Sequence, residues 1–307
     1  MTPVLERTRA RLAAIAAPES SDSCRLLHGR GGCYPGFEQV TVDFYHPILL
    51  ATFFKASAEA DIEAQIVAQL AQLAEVEGLQ GVLVQRRYLP GAPLQCAWGE
   101  LPQQVYARRA GTRFALQFGS SQNCGFFLDM EPGRRWLAAR AAGKKVLNLF
   151  AYTCAFSVVA QQAGAAAVVN VDMSRAALGR GRDNHRLNGL GTDNIDFLPL
   201  NILKSWSRIR RPGPYQIAII DPPSFQPGSF VAERDYRKLV RRLPEFMQAG
   251  GEVLLCLNSP ELGADFLQQL VQEECPRCQF LERLPGAEDF PDIDARRQLK
   301  LLSFRFQ

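Results

Sequence analysis

From about Asn123 to the C-terminus, apolar runs of strand length alternate with stretches of helical periodicity, and this alternation confines the chain to a parallel sheet covered on both faces. Val146 to Phe150 predicts a buried strand, Phe156 to Ala163 a helix and Ala166 to Asp172 a second strand. Ser174 is placed to cap a helix running towards Leu187. Ile195 to Leu198 and Gln216 to Asp221 predict the next strands, and Asp235 to Met247 a helix stopped by Gly250-Gly251. Glu252 to Asn258 is the expected fifth strand and Glu261 to Glu273 the following helix, with Gln279 to Arg283 and Gln298 to Phe306 closing the sheet. The expected fold is α/β: a doubly wound, mostly parallel sheet.

Upstream the pattern differs. Met1 to Ala17 reads as a short amphipathic helix without the layout of a signal peptide. Val40 to Phe44 alternates apolar and polar residues, Ile48 to Phe54 is a second apolar run, and Asp61 to Ala74 repeats apolar residues at helical spacing. Gly81 to Gln85 and Phe114 to Phe118 predict further strands. With 307 residues, two domains are expected: a small α+β recognition domain over 1–122 and the α/β domain over 123–307.

Composition narrows the class. No apolar run reaches the roughly 18 residues of a membrane span, so a cytoplasmic protein without membrane contact is expected. Eight scattered cysteines do not make a disulfide scaffold. Cys275-Pro276-Arg277-Cys278 has ligand-like spacing but no second pair nearby, so no metal is expected. His28, His46 and His185 show no triad spacing. Net charge is only +4, yet arginine crowds 134–145, 175–186, 204–211 and 234–242. Clustered arginine suits phosphate contact, and solvated helix faces suit it as well.

In an open parallel sheet, ligands collect beyond the C-terminal strand ends where the topology switches direction. Three such ends carry informative residues. Asn148 to Phe156 sets a turn of small and polar residues after the first strand, with no glycine in it. Asp172 closes the second strand 24 residues after Asn148, where a ribose diol finds its acceptor. Asp221-Pro222-Pro223-Ser224-Phe225 closes the strand at Ile220. Its two prolines remove two donors and leave carbonyl acceptors. Asp221 adds a carboxylate and Phe225 a ring face, a combination able to hold a flat nitrogen heterocycle by its N–H edge against a donor methyl. Asp172 and Asp221 are expected at neighbouring strand tips, facing one cleft.

These residues resemble the class I S-adenosylmethionine-dependent methyltransferases, and within them the large-subunit ribosomal RNA methyltransferases acting on cytosine C5 or guanine nitrogens. Gly125 to Asp129 with Arg134, Asn148 to Thr153, Val171 to Ser174, Asn184 with Leu187-Asn188-Gly189, and Asp221 to Phe225 follow in that family's order. Arg25 to Gly29 with Pro35-Gly36 and Asp43 is similar to the β-rich module preceding catalysis, and the PUA domain of some relatives is not expected here. The resemblance implies a Rossmann-like catalytic domain and S-adenosylmethionine as cofactor. Asp172 would then hold its ribose hydroxyls, with Phe150, Ala151, Tyr152 and Thr153 lining the methionine end and Asn148 and Met173 also binding the cofactor. Asp129 and Arg134 would bind at the sheet edge, and Asp221, Pro222 and Phe225 would meet the substrate. Two positions depart from the pattern. Cys154 stands where the family has glycine, so the turn must be built differently or be wider. Asn201 stands where an aspartate meets the adenine amine, a bond an amide oxygen accepts without charge assistance.

Cytosine C5 becomes nucleophilic only after a thiolate adds to the ring. Asn258 falls where the cytosine-modifying relatives carry that cysteine, and Cys256 lies two residues short. A nitrogen attacks directly, by positioning and desolvation, which fits this sequence better, and the resemblance to the guanine-modifying branch implies a guanine nitrogen in ribosomal RNA. That base would be turned out of its stack between the loops 226–230 and Glu288 to Pro291. Other readings remain open here: methylation at cytosine C5 with Cys256 as nucleophile; a nicotinamide oxidoreductase, lacking a Gly-x-Gly-x-x-Gly turn; a methyltransferase for a non-RNA substrate; and an inactive RNA-binding relative.

Overall fold

The computed structural model describes residues 3–15, 21–56, 60–119, 122–226 and 230–307. The chain divides into two units: Met1–Leu128 with Glu288–Ile293, and Asp129–Ala287 with Asp294–Gln307. The sequence boundary of 122/123 contains no hint of the excursion 288–293. Among the described residues no helix is long and apolar enough to cross a membrane, and no group of three or more His, Cys, Asp or Glu could hold a metal ion.

The first unit runs α1 (Pro3–Ala13), β1 (Cys24–His28), β2 (Val40–Tyr45), β3 (Ile48–Phe53), α2 (Ala60–Val76), β4 (Gly81–Arg86), β5 (Leu94–Gly99), β6 (Tyr106–Arg109) and β7 (Thr112–Ala115). Strands β1 to β5 form one sheet in chain order; β6 and β7 form a hairpin. Residue alternation predicted a half-exposed β2, yet all six of its residues are buried. Asp43 tolerates this because Arg25 grips its carboxylate at 2.7 and 3.0 Å. The strand expected at Phe114 to Phe118 ends at Ala115, four residues after the hairpin turn at Ala110 and Gly111, both of positive φ. Segment 288–293 belongs to this unit. Phe290 lies under the Arg25 guanidinium at 4.3 Å, Arg11 pairs with Asp289, and Ile293 N donates to Gly31 O at 2.9 Å. Gly31 is required there, since a Cβ would sit 1.8 Å from Pro291 O. In the loop expected to wall a base, Asp289 and Phe290 are therefore committed to Arg11 and Arg25.

The second unit runs α3 (Glu131–Ala138), β8 (Lys145–Leu149), α4 (Ala155–Gln162), β9 (Ala167–Asp172), α5 (Arg175–Leu187), β10 (Ile195–Pro199), α6 (Trp206–Arg210) and β11 (Tyr215–Ile220). It continues with β12 (Phe225–Gln226), β13 (Phe230–Val231), α7 (Ala232–Val240), α8 (Leu243–Phe246), β14 (Met247–Leu257), α9 (Ala264–Glu274), β15 (Cys278–Arg283) and β16 (Lys300–Phe306). The sheet order is β10-β9-β8-β11-β14-β16-β15. The first five strands are parallel, and β16 runs antiparallel to both neighbours. Successive residues of a strand face opposite sides. Val146, Ile217, Ile219 and Leu254 accordingly pack with Trp136, Leu137, Phe156 and Leu178. Leu147, Leu149, Ala218, Ile220 and Leu255 pack with Ile209, Tyr236, Leu239 and Leu267 on the other face. The expected helix Asp235 to Met247 is instead two helices, and Met247 already belongs to β14. Pro244, in the first turn of α8, supplies no amide for a continuous helix.

Candidate active site

The chain leaves β8 towards β9 on one side and returns to β11 on the other, so the switch of direction lies at the C-terminal end of β8. Leu149 is level with Val171 of β9 and Ile220 of β11, and Ile220 with Leu255 of β14. The next residues, Asp172, Phe150, Asp221 and Cys256, therefore form one row along the sheet edge. Asp172 and Asp221 are not on adjacent strands as expected; β8 lies between them. Two strand spacings put them about 10 Å apart.

A cleft of about 230 Å³ opens at one end of this row, lined by Phe150, Asp172, Met173, Ser174, Asn201, Ile202, Leu203 and Phe230. Four of the predicted residues, Phe150, Asp172, Met173 and Asn201, meet there. Ala151, Tyr152, Thr153, Asn148, Asp129, Arg134, Asp221, Pro222 and Phe225 are not among its walls. Thr153, Asn148 and Arg134 are almost fully buried, and Phe225 is exposed beyond the strand tip. Ile202 and Leu203 were not anticipated, and Phe230 was expected only in the base-walling loop 226–230, of which 227–229 lie outside the described residues. The first two directly follow Asn201, a position that could have been read as the wall after the third parallel strand. Phe230 reaches the cleft from β13 and meets Phe150 edge-on at 5.3 Å.

Asp172 organises the cleft floor. One carboxylate oxygen accepts from Tyr152 N at 2.9 Å and the other from Ser174 N at 2.8 Å. Ser174 caps α5 as predicted, its Oγ accepting from Ala177 N at 3.1 Å. The amides orient the carboxylate, and each oxygen keeps a further lone pair for a ligand hydroxyl.

The turn without glycine is built by left-handed backbone at alternate residues: Phe150, Tyr152 and Cys154 have φ of 59°, 47° and 60°. Such conformations are costly for residues with a Cβ and persist where neighbours hold them. Helix α5 does the holding. Asn184 Nδ2 donates to Thr153 O at 3.1 Å. His185 is fully buried and neutral, burial lowering its pKa. Its Nδ1 meets Gly181 O at 2.8 Å, so that nitrogen carries the proton and Nε2 accepts from Ser157 Oγ at 3.1 Å. Asn170 donates to Ser157 and accepts from Asn148, continuing the network beneath β8. Cys154 itself fits because residue 181 is glycine: a Cβ there would lie 2.4 Å from Cys154 Sγ and 2.8 Å from its Cβ. Gly181→Ala is expected to destabilise the protein by about 1–3 kcal/mol, an ordinary overpacking cost, and to lower the melting temperature by roughly 2–10 °C. Adding Cys154→Gly should restore it. Equal loss in the single and double variants, measured calorimetrically, would refute the compensation.

At the other side of Phe150, the Asp221 carboxylate receives no hydrogen bond among the described residues. Burial, and secondarily the charge of Asp129, raises its pKa to about 8. The Tyr236 hydroxyl donates to Cys256 O at 2.9 Å and lies 3.2 Å from Ile220 O, tying the tips of β11 and β14. Cys256 is fully buried among the α3–α4 side chains, and burial followed by the Asp221 charge pushes its thiol far above the ordinary range. Cys275 and Cys278 are likewise buried, their sulfurs 3.5 Å apart.

Known proteins resemble this chain over most of its length. Residues 24–305 match the family described as S-adenosylmethionine-dependent methyltransferase. The ribosomal RNA large subunit methyltransferase I of Shewanella amazonensis is 28% identical over 94% of this chain and 74% of its own length. The protein of that name from Aeromonas hydrophila is 29% identical over 83% of this chain and 68% of its length. Among solved structures, a proposed SAM-dependent methyltransferase from Streptococcus mutans superposes with a TM-score of 0.87 at 25% identity, covering 98% of this chain and 80% of the other.

Proposed function

We propose, from the premise that this chain belongs to the S-adenosylmethionine-dependent methyltransferase family, that it methylates a base nitrogen, guanine favoured, in large-subunit ribosomal RNA in the cytoplasm. Bound S-adenosylmethionine supplies a methyl group activated on a sulfonium. In this reading Asp172 accepts from the ribose hydroxyls, Met173 and Ile202 flank the adenine, and the Asn201 amide oxygen takes its amine. Phe150, Ala151, Tyr152 and Thr153 shape the methionine end by their backbone, with Asn148, Asp129 and Arg134 behind the turn. Asp221, with Pro222 and Phe225, faces the accepting base.

The observation that carries the proposal is the Asp221 carboxylate: among the described residues no donor satisfies it, and Phe150 alone separates it along the strand edge from the cleft of Asp172. A carboxylate there can accept the base N–H and offset the positive charge that nitrogen gains on methylation. Nitrogen is favoured over cytosine C5 because the nearest strand thiol, Cys256, is enclosed and held protonated. The names of the curated relatives, together with exposed arginines such as Arg186 on α5 and Arg210 on α6, support RNA as substrate.

The test is transfer of labelled methyl from S-adenosylmethionine to ribosomal RNA from a strain lacking the gene, with the product nucleoside identified by mass spectrometry. Label in a guanine is expected. A labelled cytosine carbon, or label only in protein or small molecules, would overturn the respective part of the reading.

A further inference from the structure

Beyond β11, the loop carrying Asp221 runs beside the loop leaving β14, and two side chains fasten the second of them. Ser224 Oγ donates to the carbonyl of Asn258, and Lys300 Nζ donates to the carbonyl of Ser259. Lys300 opens β16 opposite Leu257, and its ammonium also reaches Arg296 O at 2.9 Å. The lysine is fully buried and has no carboxylate partner among the described residues. A buried charge satisfied only by carbonyls is expensive, and those carbonyls are held in return. Glu261 N adds a bond to Ser259 Oγ at 3.3 Å.

The consequence falls on Asn258. Its backbone is fastened at its own carbonyl and at the next one, while its side chain is exposed and its amide has no partner among the described residues. Register sets its place: Asp221 is level with Cys256, and Asn258 lies two residues further out on the same side, about 7 Å along the strand direction. Among the described residues a carboxylate acceptor and an amide, each without a partner, thus lie on the same side of neighbouring strand ends, one about 7 Å further out than the other, where the base would enter.

We propose that Asn258 is a specificity-determining residue whose amide pairs with the edge of the accepting base, and that Lys300 is the positioning residue holding it there. The inference rests on the base-methylation reading above. A site built to bond a base edge rejects partners lacking the complementary group far more sharply than an apolar wall does.

The test uses the full-length enzyme, ribosomal RNA from the strain lacking the gene, and calorimetry with S-adenosylmethionine. Asn258→Ala is expected to lower kcat/KM for RNA by about 10–100-fold with cofactor affinity unchanged within twofold. Asn258→Asp, which replaces the donor by an acceptor, should fall further and alter the product nucleosides. Lys300→Met should reproduce the Asn258→Ala loss at unchanged cofactor affinity, with partial rescue by Lys300→Arg. Because Asn258 is exposed, its variants keep the question open to test if Lys300→Met fails to fold. Wild-type rates and products in Asn258→Ala would overturn the proposal while leaving base methylation standing. A wild-type enzyme that labels no RNA base would overturn both.

Discussion

Asp221→Asn is expected to abolish most methyl transfer, by about 10²–10³-fold in kcat, while S-adenosylmethionine still binds with near wild-type affinity. The factor is that for removing one preorganised group aimed at developing charge. Asparagine keeps the shape and the acceptor oxygen but carries no charge and cannot take a proton. The pH dependence follows from the raised pKa of about 8 in the ligand-free protein. The reactive form is the carboxylate, so wild-type kcat/KM, which reports the free enzyme, should rise with pH with a midpoint near 8, and that of Asp221→Asn should not. Stability moves the other way. A carboxyl group whose folded pKa lies above its unfolded value stabilises the fold below the unfolded pKa, and that contribution is lost as pH rises through about 8. Melting temperature of the ligand-free wild type should accordingly fall across this window more than that of the variant. Retained full activity in Asp221→Asn would remove the carboxylate from the mechanism.

The second large effect is on cofactor binding. Asp172→Ala deletes the proposed acceptor of two ribose hydroxyls and leaves Tyr152 N and Ser174 N without their partner. Hydrogen bonds to a charged group contribute about 1.5–3 kcal/mol each, so two of them correspond to a dissociation constant raised by roughly 10²–10⁴-fold. Part of the loss is structural, because the turn with left-handed Phe150, Tyr152 and Cys154 loses one of its holds. Asp172→Asn separates the two parts: its amide oxygen can still accept from one backbone N–H, so it should fold better than Asp172→Ala yet bind the cofactor poorly. Calorimetric titration measures both. Wild-type affinity in either variant would contradict the ribose role.

Much of the second unit was legible in the sequence because a buried parallel strand is written as an apolar run and a helix start as a cap. Ser174, Asp172 and the strand ending at Ile220 are such cases. The parts that were not legible depend on pairing across the fold. Sequence order could not show that β8 would lie between Asp172 and Asp221, since strand neighbours follow from topology rather than succession. Nor could it show that the bulk of Cys154, in a turn expected to carry glycine, is met by a glycine at residue 181. Segment 288–293 reads as an acidic loop; only its partners Arg11, Arg25 and Gly31 reveal where its side chains are spent. Pro244 was the local signal that should have divided the helix after Asp235.

The most direct measurement is a crystal structure with S-adenosylhomocysteine bound. The account predicts the ribose hydroxyls on Asp172, the adenine between Met173 and Ile202, and the sulfur beyond Phe150 pointing towards Asp221. An adenosyl group lodged elsewhere, with Asp172 untouched in an enzyme competent for transfer, would contradict it.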